Sequence, residues 1–164
     1  MKQQPHASSN SRTTNTTGAA PHILRDVMSS KPAYLSTDES IQRAAQLMQQ
    51  LDVGSLPVCD GRRLTGIVTD RDITVRCTAA GHDPAKTRVG DAMSSDPLWC
   101  TEDDAIEDAC RKMAEHQVRR IPVVDRDHQL VGMVSLGDLA VKSDDAQGTS
   151  EALKDISQPS QGIH

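Results

Sequence analysis

The sequence predicts a mixed α/β (α+β) fold in which one β-α-β-β-α unit is present twice and packs on its own copy, sheet to sheet. Three observations predict it. DVMSSKP at 26–32 returns as DAMSSDP at 91–97, and a constant offset of 65 then pairs Asp38 with Asp103, Ile41 with Ile106, Met48 with Met113 and Pro57-Val58 with Pro122-Val123. One extra residue in the second turn shifts the offset to 66, pairing Leu64 with Leu130, Gly66 with Gly132 and Asp72 with Asp138. In both copies helical periodicity gives way to two short apolar runs in the same order. A long period in only two copies marks a duplicated supersecondary unit rather than a solenoid.

Residues 1–20 are rich in Ser, Thr, Asn and Gln with almost nothing to bury, and read as a disordered polar tail. The first repeat spans 21–81. It opens with a short strand at Ala33–Leu35, followed by a helix on which Ile41, Ala44, Ala45, Met48 and Leu51 recur on one face. Leu56–Cys59 and Leu64–Val68 flank the turn pair Asp60-Gly61 and read as a hairpin. Asp70–Ala80 then reads as a helix that ends near Gly81.

The second repeat spans 82–143 and repeats the plan. A short strand at Leu98–Cys100 precedes a helix carrying Ile106, Ala109, Cys110 and Met113. A hairpin of Ile121–Val124 and Leu130–Val134 follows around a longer turn, and then a helix at Leu136–Lys142. Residues 144–164 form a flexible tail in which Leu153 and Ile156 favour only a short, weak helix. Neither unit can bury both faces of its sheet alone, which is why two must pack together.

Composition removes several classes of function. A net charge of -5 over 164 residues leaves no basic stripe for a nucleic-acid backbone, and Tyr34 and Trp99 are the only aromatics available for base stacking. No apolar run reaches transmembrane length and residues 1–20 lack the apolar segment of a secretory signal, so the expected setting is the cytoplasm, with no membrane partner. Cysteines 59, 77, 100 and 110 lack metal-ligand spacing and read as buried reduced thiols, with no metal site expected. His22, His82, His116 and His128 are scattered singly, and no nucleophile, base and orienting group recur together, so the chain does not read as an enzyme.

The chemistry gathers where each hairpin exits. Gly66 to Asp72 reads GIVTDRD and Gly132 to Asp138 reads GMVSLGD. A hydroxyl followed three residues later by an acid is a capping box, in which each side chain takes up a free backbone N–H, and an acid in the first turn suits the helix dipole. The same geometry serves a ligand: the helix start and hydroxyl suit a phosphate, and the aspartate, an acceptor only, suits a ribose diol. Leu56-Pro57 and Ile121-Pro122 offer an apolar wall for a base.

VGSLPVCD followed by GIVTDRD, and VRRIPVVD followed by GMVSLGD, each after a helix and in register, resemble the tandem cystathionine β-synthase (CBS) domain pair, the Bateman module, over about 22–143. The pattern is similar to that of small stand-alone bacterial CBS-pair proteins. The resemblance implies a pseudo-twofold pair with two clefts that senses AMP, ADP or ATP. It further implies a homodimer and a readout through a protein effector in trans, with no cofactor used as a catalyst. Carried over residue by residue, it implies phosphate-side hydroxyls at Thr69 and Ser135 and ribose carboxylates at Asp72 and Asp138. An adenine wall follows from the backbone at Ala33, Tyr34, Leu35, Leu98, Trp99 and Cys100, with Leu56, Pro57, Ile121 and Pro122.

The copies differ in where they carry charge. Copy one has Asp70-Arg71 after its hydroxyl and Gly54-Ser55 before its Leu-Pro-Val; copy two has Leu136-Gly137 and Arg119-Arg120 at those places. The expectation is that Arg71 meets Arg119 or Arg120 beside the phosphates, with the Thr69/Asp72 cleft the stronger. The alternative function is a nucleotide-free, stress-associated structural or protein-interaction module tuned by cysteine oxidation.

Overall fold

The structure, a computed structural model, describes residues 23–142 together with 150, 154 and 155. The tails expected over 1–20 and most of 144–164, with the weak helix carried by Leu153 and Ile156, lie outside the described residues. In chain order the elements are α1 (Leu24–Val27), β1 (Ser29–Ser30), α2 (Ile41–Leu51), β2 (Ser55–Asp60), β3 (Arg63–Thr69), α3 (Asp70–Asp72) and a π-helical continuation over Ile73–Thr78. Then come α4 (Val89–Ala92), β4 (Cys100–Thr101), α5 (Ile106–His116), β5 (Arg120–Val124), β6 (Leu130–Ser135) and α6 (Leu136–Lys142).

The two long helices form where the apolar spacing places them. Ile41, Ala44 and Met48 of α2 are buried, as are Ile106, Ala109, Cys110 and Met113 of α5. Ser40 caps α2 by accepting from the Arg43 N–H at 3.1 Å. Both helices stop on a left-handed residue, Asp52 at φ 53° and Gln117 at φ 52°, which frees the chain to turn into the next strand. Each hairpin carries a register shift at the same place, between Val58 and Cys59 and between Val123 and Val124.

Three sequence expectations are revised. The helix expected over Asp70–Ala80 keeps an α ladder for one turn only; Ala79 N–H donates to the Thr74 carbonyl and His82 N–H to the Cys77 carbonyl, both at 2.9 Å across five residues, before Gly81 ends it at φ 74°. The strand expected at Ala33–Leu35 reduces to one parallel bridge from Leu35 to Val58. The strand expected at Leu98–Cys100 moves on to Cys100–Thr101, parallel to β5. In both cases a fully buried side chain, Leu35 or Cys100, anchors the chain where it crosses the core.

The single turns α1 and α4 exchange places. The α1–β1 segment opens the first repeat but packs on the second: Leu24 and Val27 sit in one core with Ile106, Met113, Val134 and Leu139, and Ser29 pairs with Met133. Conversely, Val89 and Ala92 of α4 sit in the first core with Leu35, Ile41, Met48 and Val68, and Ser94 bridges to Ile67. The resulting sheets are β1-β6-β5-β4 and β2-β3.

A third cluster, Cys59 and Leu64 with Val124 and Leu130, joins the hairpins. Leu64 N–H donates to the His128 carbonyl at 3.2 Å and Leu130 N–H to the Arg62 carbonyl at 2.8 Å. These bonds link equivalent residues of the two copies, so the pseudo-twofold axis of the pair runs through this seam.

Candidate functional site

Strand alternation decides which side chains can meet between the repeats. Leu56 and Val58 turn one face of β2 into the first core. The other face carries Ser55 and Pro57, opposite Thr69 and Ile67 on β3. In the second hairpin the corresponding face carries Arg120 and Pro122, opposite Ser135 and Met133. Residues directly opposite in an antiparallel ladder share a face, so Arg120 rises beside the Ser135 hydroxyl.

These faces border a cleft of about 470 Å³ that joins Ala33, Leu56 and Pro57 of the first repeat to Arg120, Ser135 and Asp138 of the second. Its size lies within the range of small-molecule sites, roughly 300–1,000 Å³. The remaining walls, including Leu51, Val53 and Met133, are mostly apolar. A flat hydrophobic group and a polar, charged group can therefore be held together, each at its own part of the cleft.

The capping box anticipated at each hairpin exit is present. Thr69 N–H donates to Asp72 Oδ2 and Asp72 N–H to Thr69 Oγ1, both at 3.0 Å. Ser135 N–H donates to Asp138 Oδ2 at 3.1 Å, the Ser135 hydroxyl donates to the same oxygen at 2.6 Å, and Asp138 N–H donates to Ser135 Oγ at 3.0 Å. In each copy the cap engages the N–H groups of the hydroxyl residue and of the aspartate, leaving fewer donors for an anion at the helix start. In the described cleft the available cation is Arg120.

Of the expected site residues, Ala33, Leu56, Pro57, Arg120, Ser135 and Asp138 come together in this cleft. Leu35, Cys100 and Ile121 are core side chains, so only their backbone can face a ligand. Pro122 is buried and Leu98 packs partly on the second core. Tyr34 and Trp99 are 43% and 39% exposed, and the Trp99 ring meets His128 edge-on with centroids 5.0 Å apart.

The first copy's charges lie elsewhere. Arg71 is exposed, and its N–H donates to Asp70 Oδ1 at 2.7 Å. Asp70, Asp52 and Gly54 line a separate shallow depression of about 390 Å³. Arg119 is exposed, and its carbonyl accepts from Leu136 N–H at 2.9 Å. Ser29, Pro32, Leu51, Val53, Ser55 and Met133 line the cleft without having been singled out from sequence. Ser29 and Pro32 belong to the repeated MSSxP, which was the available signal.

All four cysteines are buried, and none forms a disulfide. Burial pushes the Cys59 and Cys100 thiols up to about 11, and Lys112, whose Nζ is 3.7 Å from Cys100 Sγ, only partly offsets this. Among the described residues no group of three or more His, Cys, Asp or Glu side chains is placed to hold a metal, and no helix is long and apolar enough to cross a membrane.

Known proteins resemble this arrangement closely. The CBS domain family model matches residues 24–77 and 89–144. CBS domain-containing protein YhcV of Bacillus subtilis is 43% identical over 141 residues, covering 86% of this chain and 98% of that protein. Hypoxic response protein 1 of Mycobacterium tuberculosis is 38% identical over 117 residues, covering 71% of this chain and 81% of its own. Its crystal structure, which holds two coordinated zinc ions, superposes with a TM-score of 0.68 over 73% of this chain and 97% of that one. CBSX2 in complex with AMP is 28% identical, with a TM-score of 0.64 over 74% of this chain and 95% of its own.

Proposed function

Because the chain belongs to the CBS-domain family and carries two copies of the domain, we propose that it is a regulatory module whose Ser135/Asp138 cleft binds an adenine nucleotide, AMP, ADP or ATP. The observation that carries this reading is the cleft itself, in which the apolar Ala33, Leu56 and Pro57 are joined to a hydroxyl, a carboxylate and a guanidinium. The adenine lies against Pro57 and the backbone of Leu56, the ribose diol donates to Asp138, and Arg120 faces the phosphate. The AMP complex of CBSX2 supports the ligand class.

This assignment departs from the expectation that the Thr69/Asp72 cleft is the stronger. Arg120 stands opposite Ser135, whereas the same place opposite Thr69 is held by Ser55, and Arg71 is exposed. A monoanionic or dianionic phosphate is better met where the cation shares a face with the hydroxyl.

The bound nucleotide acts by shifting the population of conformations or of homodimers that a protein effector reads in trans in the cytoplasm, which requires different affinities for the two states. The rival module, free of nucleotide and tuned by cysteine oxidation, is disfavoured by the burial of all four thiols and the raised values of Cys59 and Cys100.

Calorimetry with AMP, ADP, ATP, NAD and S-adenosylmethionine on the wild type, Asp72→Ala and Asp138→Ala tests the proposal. Loss of a charge-assisted ribose contact is expected to weaken binding roughly ten- to a hundredfold in Asp138→Ala. No heat of binding at millimolar nucleotide sinks the sensor reading and leaves the interaction module.

A further inference from the structure

Both cleft aspartates share an arrangement that the capping box does not explain. With its Oδ2 engaged by Ser135, Asp138 turns Oδ1 toward Lys142 Nζ at 3.7 Å. The same ammonium donates to the Val27 carbonyl, the end of α1, at 2.9 Å. In the first repeat Asp72 turns Oδ1 toward Arg76 Nε at 3.6 Å, and Arg76 donates to the Ala92 and Met93 carbonyls, at the end of α4, at 3.1 and 3.2 Å. Lys142 and Arg76 are equivalent, and so are Val27 and Ala92. Twice over, one cation joins the aspartate of one repeat to the segment that crosses from the other.

We propose that Lys142, with Arg76 as its counterpart, is a positioning residue that latches the crossing α1–β1 segment to Asp138, and that a ribose diol on Asp138 releases the latch. The inference rests on the reading of Asp138 as the ribose carboxylate. Its chemistry is a count of acceptor sites: Oδ2 already accepts two hydrogen bonds from Ser135, so a diol must draw on Oδ1, the oxygen that faces Lys142. Ligand donors and ammonium then compete for one oxygen. The segment released, with Met28 against Gly132 and Ser29 paired to Met133, also borders the cleft, so occupancy is converted into a change at the junction of the repeats.

Hydrogen exchange of the amides of residues 28–31 in the full chain tests both parts. In the ligand-free protein, Lys142→Met, which keeps the apolar stem, is expected to speed exchange there about three- to tenfold. Lys142→Arg, which copies the cation of the first repeat, is expected to retain protection. Saturating AMP is expected to bring the wild type to the Lys142→Met rate and to leave Lys142→Met unchanged. Unaltered exchange in ligand-free Lys142→Met overturns the latch whatever AMP does. AMP that binds by calorimetry without speeding exchange overturns its release. If AMP does not bind, the release falls together with the nucleotide reading, while the ligand-free comparison still decides whether the latch exists.

Discussion

A methyl group built on Gly66 would lie 2.6 Å from Sδ of Met93 and 2.8 Å from the carbonyl oxygen of Ser94, closer than Cβ atoms approach their neighbours. In the second copy, Gly132 meets the Met28 thioether, and the Ser29 carbonyl oxygen lies 3.2 Å from the same imagined atom. The glycine that opens each hairpin-exit motif is therefore where the exchanged segment of the other repeat presses on the strand. The two recurring motifs, MSS and Gly-h-h-[Ser/Thr]-x-x-Asp, are the two sides of one contact, made twice.

Alanine at these glycines is expected to cost about 1–3 kcal/mol of stability through overpacking. The cost should be larger for Gly66→Ala, because a backbone carbonyl yields less readily than a thioether. Double-mutant cycles by urea denaturation check the cause: Met28→Ala should recover much of the Gly132→Ala loss, and Met93→Ala less of the Gly66→Ala loss. Equal recovery at both sites contradicts the geometry.

Asp138 is expected to separate into two roles. Asp138→Asn keeps an oxygen acceptor for the Ser135 N–H, so the melting temperature should stay close to wild type while AMP affinity falls roughly tenfold with the lost charge. Asp138→Ala should lose binding and also about 1 kcal/mol from the cap. If AMP affinity tracks melting temperature across both variants, the carboxylate serves the cap alone.

The parts of the fold legible in the sequence are those set by neighbours in the chain. Helices α2 and α5 follow from Ile41, Ala44, Met48 and their copies, the hairpins from apolar runs about a turn, and the caps from Thr69/Asp72 and Ser135/Asp138. The turns α1 and α4 were not legible, because four residues show no periodicity and their partners lie on the other repeat. Nothing local marks the π-helical turn; the described part of its copy, to Lys142, is α-helical. Of the cleft's lining, Ala33, Leu56, Pro57, Arg120, Ser135 and Asp138 stood out in the sequence, whereas Ser29, Pro32, Leu51, Val53, Ser55 and Met133 did not. That Arg120 rather than Arg71 joins the hydroxyl depends on the strand register of β5 and β6, a tertiary property.

Stability is expected to fall as pH rises from about 9 to 11. Burial raises Cys59 and Cys100 from 9.0 to about 11, so in this window the unfolded chain releases thiol protons that the folded chain retains. Fewer protons bound in the unfolded state mean a negative slope, at most about 1.4 kcal/mol per pH unit for each thiol, and these thiols contribute no slope well below pH 9. Urea denaturation in reductant at stepped pH measures the slope. A Cys59→Ala/Cys100→Ala variant should flatten it, and an unchanged slope there assigns the effect to other groups.

Removing the Arg120 guanidinium should weaken the phosphate contact of the Ser135/Asp138 cleft. In Arg120→Ser, AMP affinity is expected to fall about tenfold or more while adenosine affinity barely changes, because only the phosphate loses its charge-assisted partner. Trp99 gives the readout: it is the only tryptophan, is part-exposed and lies in the segment equivalent to Ala33–Leu35, which borders the Ser135/Asp138 cleft. AMP bound in the Ser135/Asp138 cleft should leave its emission nearly unchanged. A wild-type emission change that saturates with the calorimetric affinity would instead place the nucleotide beside Thr69 and Asp72.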